Sequence, residues 1–194
     1  MRVRLDASLL KYAIPAVSDS EDFKFTNAAY NHARYQMCQR QMKHPLPQFN
    51  PSPETHEVFM TGGWEEGGTV VMTCTPTETI SYFVRFAPTP YGACQTTLWR
   101  DATDTTNQKI AGQVFWFLCD HYGAICSDAL HTPKGRSFWV HKLEEAEQKG
   151  YQIGLLNQQT KDIDWKQDVP LQKWLIEREV WTTDGYHLRI IIKK

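Results

Sequence analysis

The chain has 194 residues, 41% apolar, 12% aromatic and 22% charged, enough for one well-filled domain spanning residues 1–194 and too few for two comfortable ones. Its 21 Lys and Arg oppose 22 Asp and Glu, so the net charge is −1 and the uniform positive field of a non-specific nucleic-acid binder is missing. No apolar run approaches the roughly 18 residues of a bilayer span, Met1 to Asp6 leads into no signal-peptide core, and Cys38, Cys74, Cys94, Cys119 and Cys126 form no C-x-x-C pair, so the expectation is a cytoplasmic protein with reduced thiols.

Residues Met1 to Ala16 predict one short strand, interrupted at Pro15. Ser18, Asp19 and Ser20 offer capping oxygens, and Phe23 to Met42, free of Gly and Pro, predicts one long helix or two short ones. Pro45, Pro47, Pro51 and Pro53 then exclude helix and predict an exposed connection. From Glu57 the chain turns to runs of Val, Thr, Ile, Tyr and Phe between Gly and Pro clusters, the mark of an antiparallel meander. Its strands are predicted at Glu57 to Thr61, Thr69 to Thr75, Thr79 to Phe86 and Ala93 to Trp99, with Ile80, Tyr82, Val84 and Phe86 on one face.

Ile110, Val114 and Leu118 recur at helical spacing within Asn107 to Asp120, flanked by Ala111 and Phe115, which predicts a helix buried on most sides. Ala124 to Cys126 reads as a strand. Thr132 and Pro133 open a further helix whose inward face is Phe138, Trp139, Leu143 and Ala146, and Gly150 stops it. Tyr151 to Leu156 is the next strand, and Trp174 to Thr182 with Tyr186 to Lys193 predict a closing hairpin about Thr183-Asp184-Gly185. The fold class is therefore α/β, with a mixed, mainly antiparallel sheet of about seven strands flanked by helices.

The order of these elements, together with Lys149-Gly150-Tyr151 between the last long helix and its strand, resembles the GNAT N-acetyltransferase superfamily. The resemblance implies a cofactor, acetyl-CoA, whose pyrophosphate would lie on the amides opening the central helix, at Gln108, Lys109, Ile110, Ala111 and Gly112. Ala111 and Gln113 stand where the family has small or glycine residues, and Phe138 and Trp139 stand where many members carry an acidic-proton donor, a tyrosine. The same region read without the family is a buried structural helix capped by Thr106 or Asn107.

Cys126, Ser127 and Asp128, followed by His131, form the densest group of reactive side chains, placed where a strand hands over to a helix, and are the candidate catalytic residues. Their plainer reading is a buried strand residue followed by turn formers. Trp64, in Gly62-Gly63-Trp64-Glu65-Glu66-Gly67-Gly68, is the candidate partner-binding residue, or else folds back on the sheet. No metal motif, P-loop or dinucleotide fingerprint occurs. Two functions are expected: an acyl-CoA-dependent N-acyltransferase acting on an amine of a small molecule or protein, or an inactive GNAT-like domain that binds a protein partner, of the kind viral or mobile genomes encode as inhibitors.

Overall fold

A computed structural model describes residues 25–128, 133–178, 180 and 187–194. These residues fall into two compact units, one within Asp19–Ile125 and the other within Cys126–Lys194. Nine strands occur among the described residues, more than the seven or so expected, and every pairing within either unit described below is antiparallel. The predicted first strand lies outside the described residues.

The first unit is built on the meander β2 (His56–Gly63), β3 (Gly67–Cys74), β4 (Thr79–Thr89) and β5 (Gly92–Arg100), in the order expected from sequence. A two-residue strand, β1 (His44–Pro45), pairs with Phe59 and Met60 on the outer side of β2. The proline-rich connection is therefore not simply exposed. Leu46 and Phe49 turn inward and are buried, with a 3-10 turn at Pro47–Phe49 between them. Proline forbids the α-helix here but fits a short turn and an edge strand.

Helix α1 (Ala28–Gln39) starts at Asn27, whose side chain accepts from the Tyr30 N–H. It covers one sheet face, and Phe25, just before it, packs against Phe83 and Trp99 at ring centroid distances of 5.1 and 5.0 Å. Phe59, Val71 and Ile80 complete this cluster. The sequence placed Ile80 with Tyr82, Val84 and Phe86, but a register shift against Met72 and Thr73 makes Ser81 an extra residue in β4. That bulge reverses the alternation, so Ile80 joins Phe83 on the α1 side. Helix α2 (Ile110–Tyr122) lies on the opposite face, where Tyr122 meets Phe86. Its predicted stripe of Ile110, Val114 and Leu118 is buried, and Gly123 ends it in the left-handed conformation.

Two asparagines and a glycine fix this arrangement. Asn31 accepts from the Ile80 N–H at 2.6 Å and donates to the Ile80 carbonyl at 3.1 Å, so its amide acts as a short strand partner at the bulge. Asn107 donates to the Ser81 carbonyl and hydroxyl, each at 3.0 Å, approaching the next peptide of the same bulge. Gly92 opens β5 at φ +111°, and an added Cβ would lie 2.3 Å from the Ala124 carbonyl oxygen of β6 (Ala124–Cys126). Only glycine tolerates both the angle and the approach.

In the second unit β7 (Gln152–Asn157) pairs with β9 (Leu188–Lys193) on one side and β8 (Ile163–Trp165) on the other. Helix α3 (Pro133–Gln148) packs on β7 through its predicted inward residues Trp139, Leu143 and Ala146, while Phe138 is half-buried. Gly150 stops it as expected: the Gly150 N–H donates to Glu147 and the Tyr151 N–H to Ala146. The predicted first arm of the closing hairpin is corrected. Helix α4 (Leu171–Glu177) occupies its beginning, because Leu171, Trp174 and Leu175 form a buried i, i+3, i+4 stripe and Pro170 sets the start. Thr183-Asp184-Gly185 lies outside the described residues.

Two substitutions test this frame by urea denaturation. Asn31→Ala strands both polar groups of the Ile80 peptide and is expected to cost about 2–3 kcal/mol. Gly92→Ala adds a backbone collision to an unfavourable φ and is expected to cost about 3 kcal/mol or more.

Candidate functional site

The start of α2 is where the sequence directs attention, and its approach is built from polar side chains. After β5 the chain passes Asp101 and makes a 3-10 turn at Thr105–Asn107 before entering α2. Asp104 caps this 3-10 turn, while α2 itself starts at Lys109 with no side-chain cap, neither Thr106 nor Asn107 filling that role: one Asp104 carboxylate oxygen accepts from the Thr106 N–H at 2.9 Å and from the Thr106 hydroxyl at 2.5 Å. The other oxygen accepts from the Ser81 hydroxyl and from His56 Nε2 at 3.0 Å. The Thr55 hydroxyl stands 2.8 Å from His56 Nδ1, which fits an imidazole that carries its proton on Nε2 and accepts on Nδ1. Asn107 is fully buried and donates to Ser81 and to the Asp101 carbonyl at 2.9 Å, while its own Oδ1 has no partner.

A serine, a histidine and an aspartate thus meet, but in an order that does not make a nucleophile. The carboxylate stands between hydroxyl and imidazole, so Ser81 donates its proton to Asp104 and not to His56. Both Ser81 and His56 are buried. Burial alone would raise the Asp104 carboxyl, but hydrogen bonds from Ser81, Thr106 and His56 outweigh it and hold the group below the ordinary carboxylate value. Asp104 is therefore a charged anion in the 3-10 turn that leads into α2, ahead of the Gln108 to Gly112 stretch to which the resemblance assigns a pyrophosphate.

Among the cofactor candidates, Gln108 and Lys109 are exposed, Ile110 and Ala111 are buried, and Gly112 is half-buried inside the first turn of α2. They run consecutively from the end of the 3-10 turn into the first turn of α2.

Cys126 ends β6 and is buried. Ser127, 1% exposed, donates its N–H to the Ile190 carbonyl at 2.8 Å, and its hydroxyl accepts from the Ile190 N–H at 3.0 Å. That hydroxyl also donates to the Asp128 carbonyl at 3.0 Å. Ser127 is thus incorporated into the pairing with β9, and Asp128 is half-buried beside it. His131 lies outside the described residues. His141 is exposed on α3 and its Nε2 lies 3.0 Å from Glu145.

Trp64 is half-buried. Its ring stacks on Phe86 at 5.7 Å and meets Phe117 and His121 at 5.4 and 4.9 Å. Its carbonyl accepts from the Tyr122 hydroxyl. The glycine-bounded hairpin therefore folds onto α2, while Glu65 and Glu66 remain at its exposed tip.

The cluster around Asp104 is what sequence reasoning missed. Its one local signal was Asp104-Thr105-Thr106, a carboxylate two residues ahead of a hydroxyl at a helix entry. His56 and Ser81 come from distant strands and carried none. Among the described residues no set of three or more His, Cys, Asp and Glu is placed to hold a metal, and no helix is long and apolar enough to cross a membrane. No family model, curated protein or solved structure matches the chain.

Asp104→Ala removes the acceptor for Ser81, Thr106 and His56 together and is expected to cost about 2 kcal/mol or more. The sign with pH follows from the lowered pKa. Stability from this carboxylate is complete above the ordinary value of about 3.9 and is lost as pH falls from there through the depressed folded value. Melting curves across this range are expected to fall less steeply for Asp104→Asn than for the parent protein.

Proposed function

We propose that this chain works by binding another protein, using an α/β frame of GNAT-like element order without acyl transfer. The observation that carries the reading is the Asp104 carboxylate, held in the 3-10 turn that leads into α2 by Ser81, Thr106 and His56. A phosphate site is favoured by donors and cations along its approach, and this chain places a fixed negative charge in that approach.

Two further features support it. Ser127 is 1% exposed and exchanges hydrogen bonds with Ile190 through both its N–H and its hydroxyl, the work of a strand-pairing residue. Phe138 and Trp139, at the position where the resembled family places its proton donor, present rings that cannot protonate a thiolate. The GNAT-like order itself draws support from the last strand, β9, which pairs with β7 and also exchanges hydrogen bonds with Ser127 just after β6. Trp64, packed among Phe86, Phe117 and His121, serves in this reading to brace its hairpin rather than to anchor the partner.

The test is thermal denaturation with and without acetyl-CoA. A ligand at about 100 times its Kd stabilises a fold by roughly 2.7 kcal/mol, so an acyltransferase would show a clear rise in melting temperature. No rise is expected at millimolar acetyl-CoA. A saturable rise would return the chain to the acyltransferase reading.

A further inference from the structure

The hairpin between β2 and β3 ends in two rungs without side chains, Gly62 paired with Gly68 and Gly63 with Gly67. Cross-strand side-chain contacts, which support the rest of the ladder, are therefore missing at these two rungs. Trp64 supplies the hold instead, from outside the ladder. Its ring lies at 24° to that of Phe86 with Phe117 and His121 also against it, and its carbonyl accepts from the Tyr122 hydroxyl. The seat on β4 and α2 keeps its form through contacts of its own. Phe49 meets Phe117 edge-on at 5.2 Å, and Tyr122 meets His121 at 4.7 Å and Phe86 at 6.0 Å.

Gly63 immediately precedes Trp64, and neither angle nor packing requires it to be a glycine. Its φ lies outside the left-handed region, and an added Cβ meets nothing within 4 Å among the described residues. What glycine supplies at this position is backbone freedom, directly behind the residue that holds the tip closed. Trp64 is half-buried and His121 exposed, so the rim of the seat faces solvent.

We infer that Trp64 keeps the place of a tryptophan from the partner protein: the partner's indole enters the seat of Phe86, Phe117 and His121, the carbonyl of that residue takes the Tyr122 hydroxyl, and the 62–68 tip swings out on Gly63. The inference rests on the protein-binding reading above and names the side chain recognised and the strap that guards its seat. The occupant follows from what already sits there. A seat that meets an indole and the carbonyl of the residue bearing it recognises tryptophan within a peptide, and an aliphatic side chain forgoes the ring contacts. The closed strap lowers the partner's affinity by the fraction of the time the seat is open.

The experiment is hydrogen–deuterium exchange of the full chain, read by mass spectrometry, with N-acetyltryptophanamide as the probe. In the parent protein, exchange over residues 62–68 is expected to rise saturably with the probe, by at least about tenfold, while the rest of β2 and β3 stays as it was. N-acetylleucinamide is expected to change nothing. Without probe, Tyr122→Phe keeps the ring, loses one hydrogen bond and is expected to speed exchange at the tip about two- to tenfold. Gly63→Ala restricts the open strap more than the closed one and is expected to need about two- to fivefold more probe for half the effect. Melting curves check that both variants fold, and should Tyr122→Phe fail, Gly63→Ala carries the test. Exchange at the tip that ignores the probe, slows with it, or rises equally with the leucine compound would each overturn the inference. So would an unchanged tip in folded Tyr122→Phe or an unchanged probe requirement in Gly63→Ala. Acetyl-CoA melts on the same samples keep the two levels apart. A saturable rise removes the protein-binding reading, while probe failure without a rise removes only this seat.

Discussion

The first unit depends on a single irregularity in its central strand. At Ile80 and Ser81 the backbone of β4 departs from regular pairing with β3, and its polar groups are taken up by side chains approaching from both faces. Asn31 holds the Ile80 peptide from the α1 side, and Asn107 holds Ser81 from the α2 side. A side-chain amide carries a donor and an acceptor about as far apart as those of a peptide unit, which is why asparagine can replace a missing strand at such a point. The same extra residue that needs these partners also moves Ile80 across the sheet, giving α1 its aromatic and aliphatic bed. Register, helix docking and core composition are thus consequences of one local geometry.

The same bulge determines the chemistry at the entry to α2. Once Asn107 is directed inward to Ser81, the loop ahead of it is drawn over the sheet, and Asp104 meets both the Ser81 hydroxyl and the His56 ring. A negative group near a helix start is favourable in its own right, through the exposed N–H groups and the dipole. In a phosphate-binding protein that preference is left for the ligand. Here an intrachain carboxylate accepts from the Thr106 N–H of the 3-10 turn ahead of the helix, and that turn becomes a structural joint. Polar residues that resemble a hydrolytic triad in composition are arranged to stabilise, since each proton donor points at the charge and none at a prospective substrate.

Much of this fold was legible because its signals are local and periodic. Ile110, Val114 and Leu118 marked α2, the Gly and Pro clusters divided the meander, and Gly150 marked the end of α3 with the hydrogen bonds that position demands. What was not legible depends on distant partners. The Ser81 bulge is defined against Thr73 and filled by Asn31 and Asn107, none of which its own neighbourhood announces. Trp174 and Ile176 read as strand by residue type, yet Leu171, Trp174 and Leu175 bury one side of a helix, so tertiary packing overrode propensity. The candidate site was legible as a location, the region around Asn107, but its hydrogen bonding was not: the partners of Asp104 include His56 and Ser81, which arrive from other strands. The partner of Ser127 was hidden for the same reason, since it is Ile190, 63 residues further along the chain.

The two-residue strand His44–Pro45 has a consequence out of proportion to its size. A long outer strand such as β2 offers unpaired backbone groups to any similar strand from another molecule, and sheets that leave such a border open tend to stack into aggregates. The strap made by β1 covers Phe59 and Met60, continues with the Leu46 N–H donating to Val58, and is pinned by the burial of Leu46 and Phe49. Its outward border ends in Pro45, which has no N–H to extend the ladder. The prolines that interrupt helix formation in this stretch therefore also act as a terminus for the sheet, keeping a β-rich chain from polymerising along its own edge.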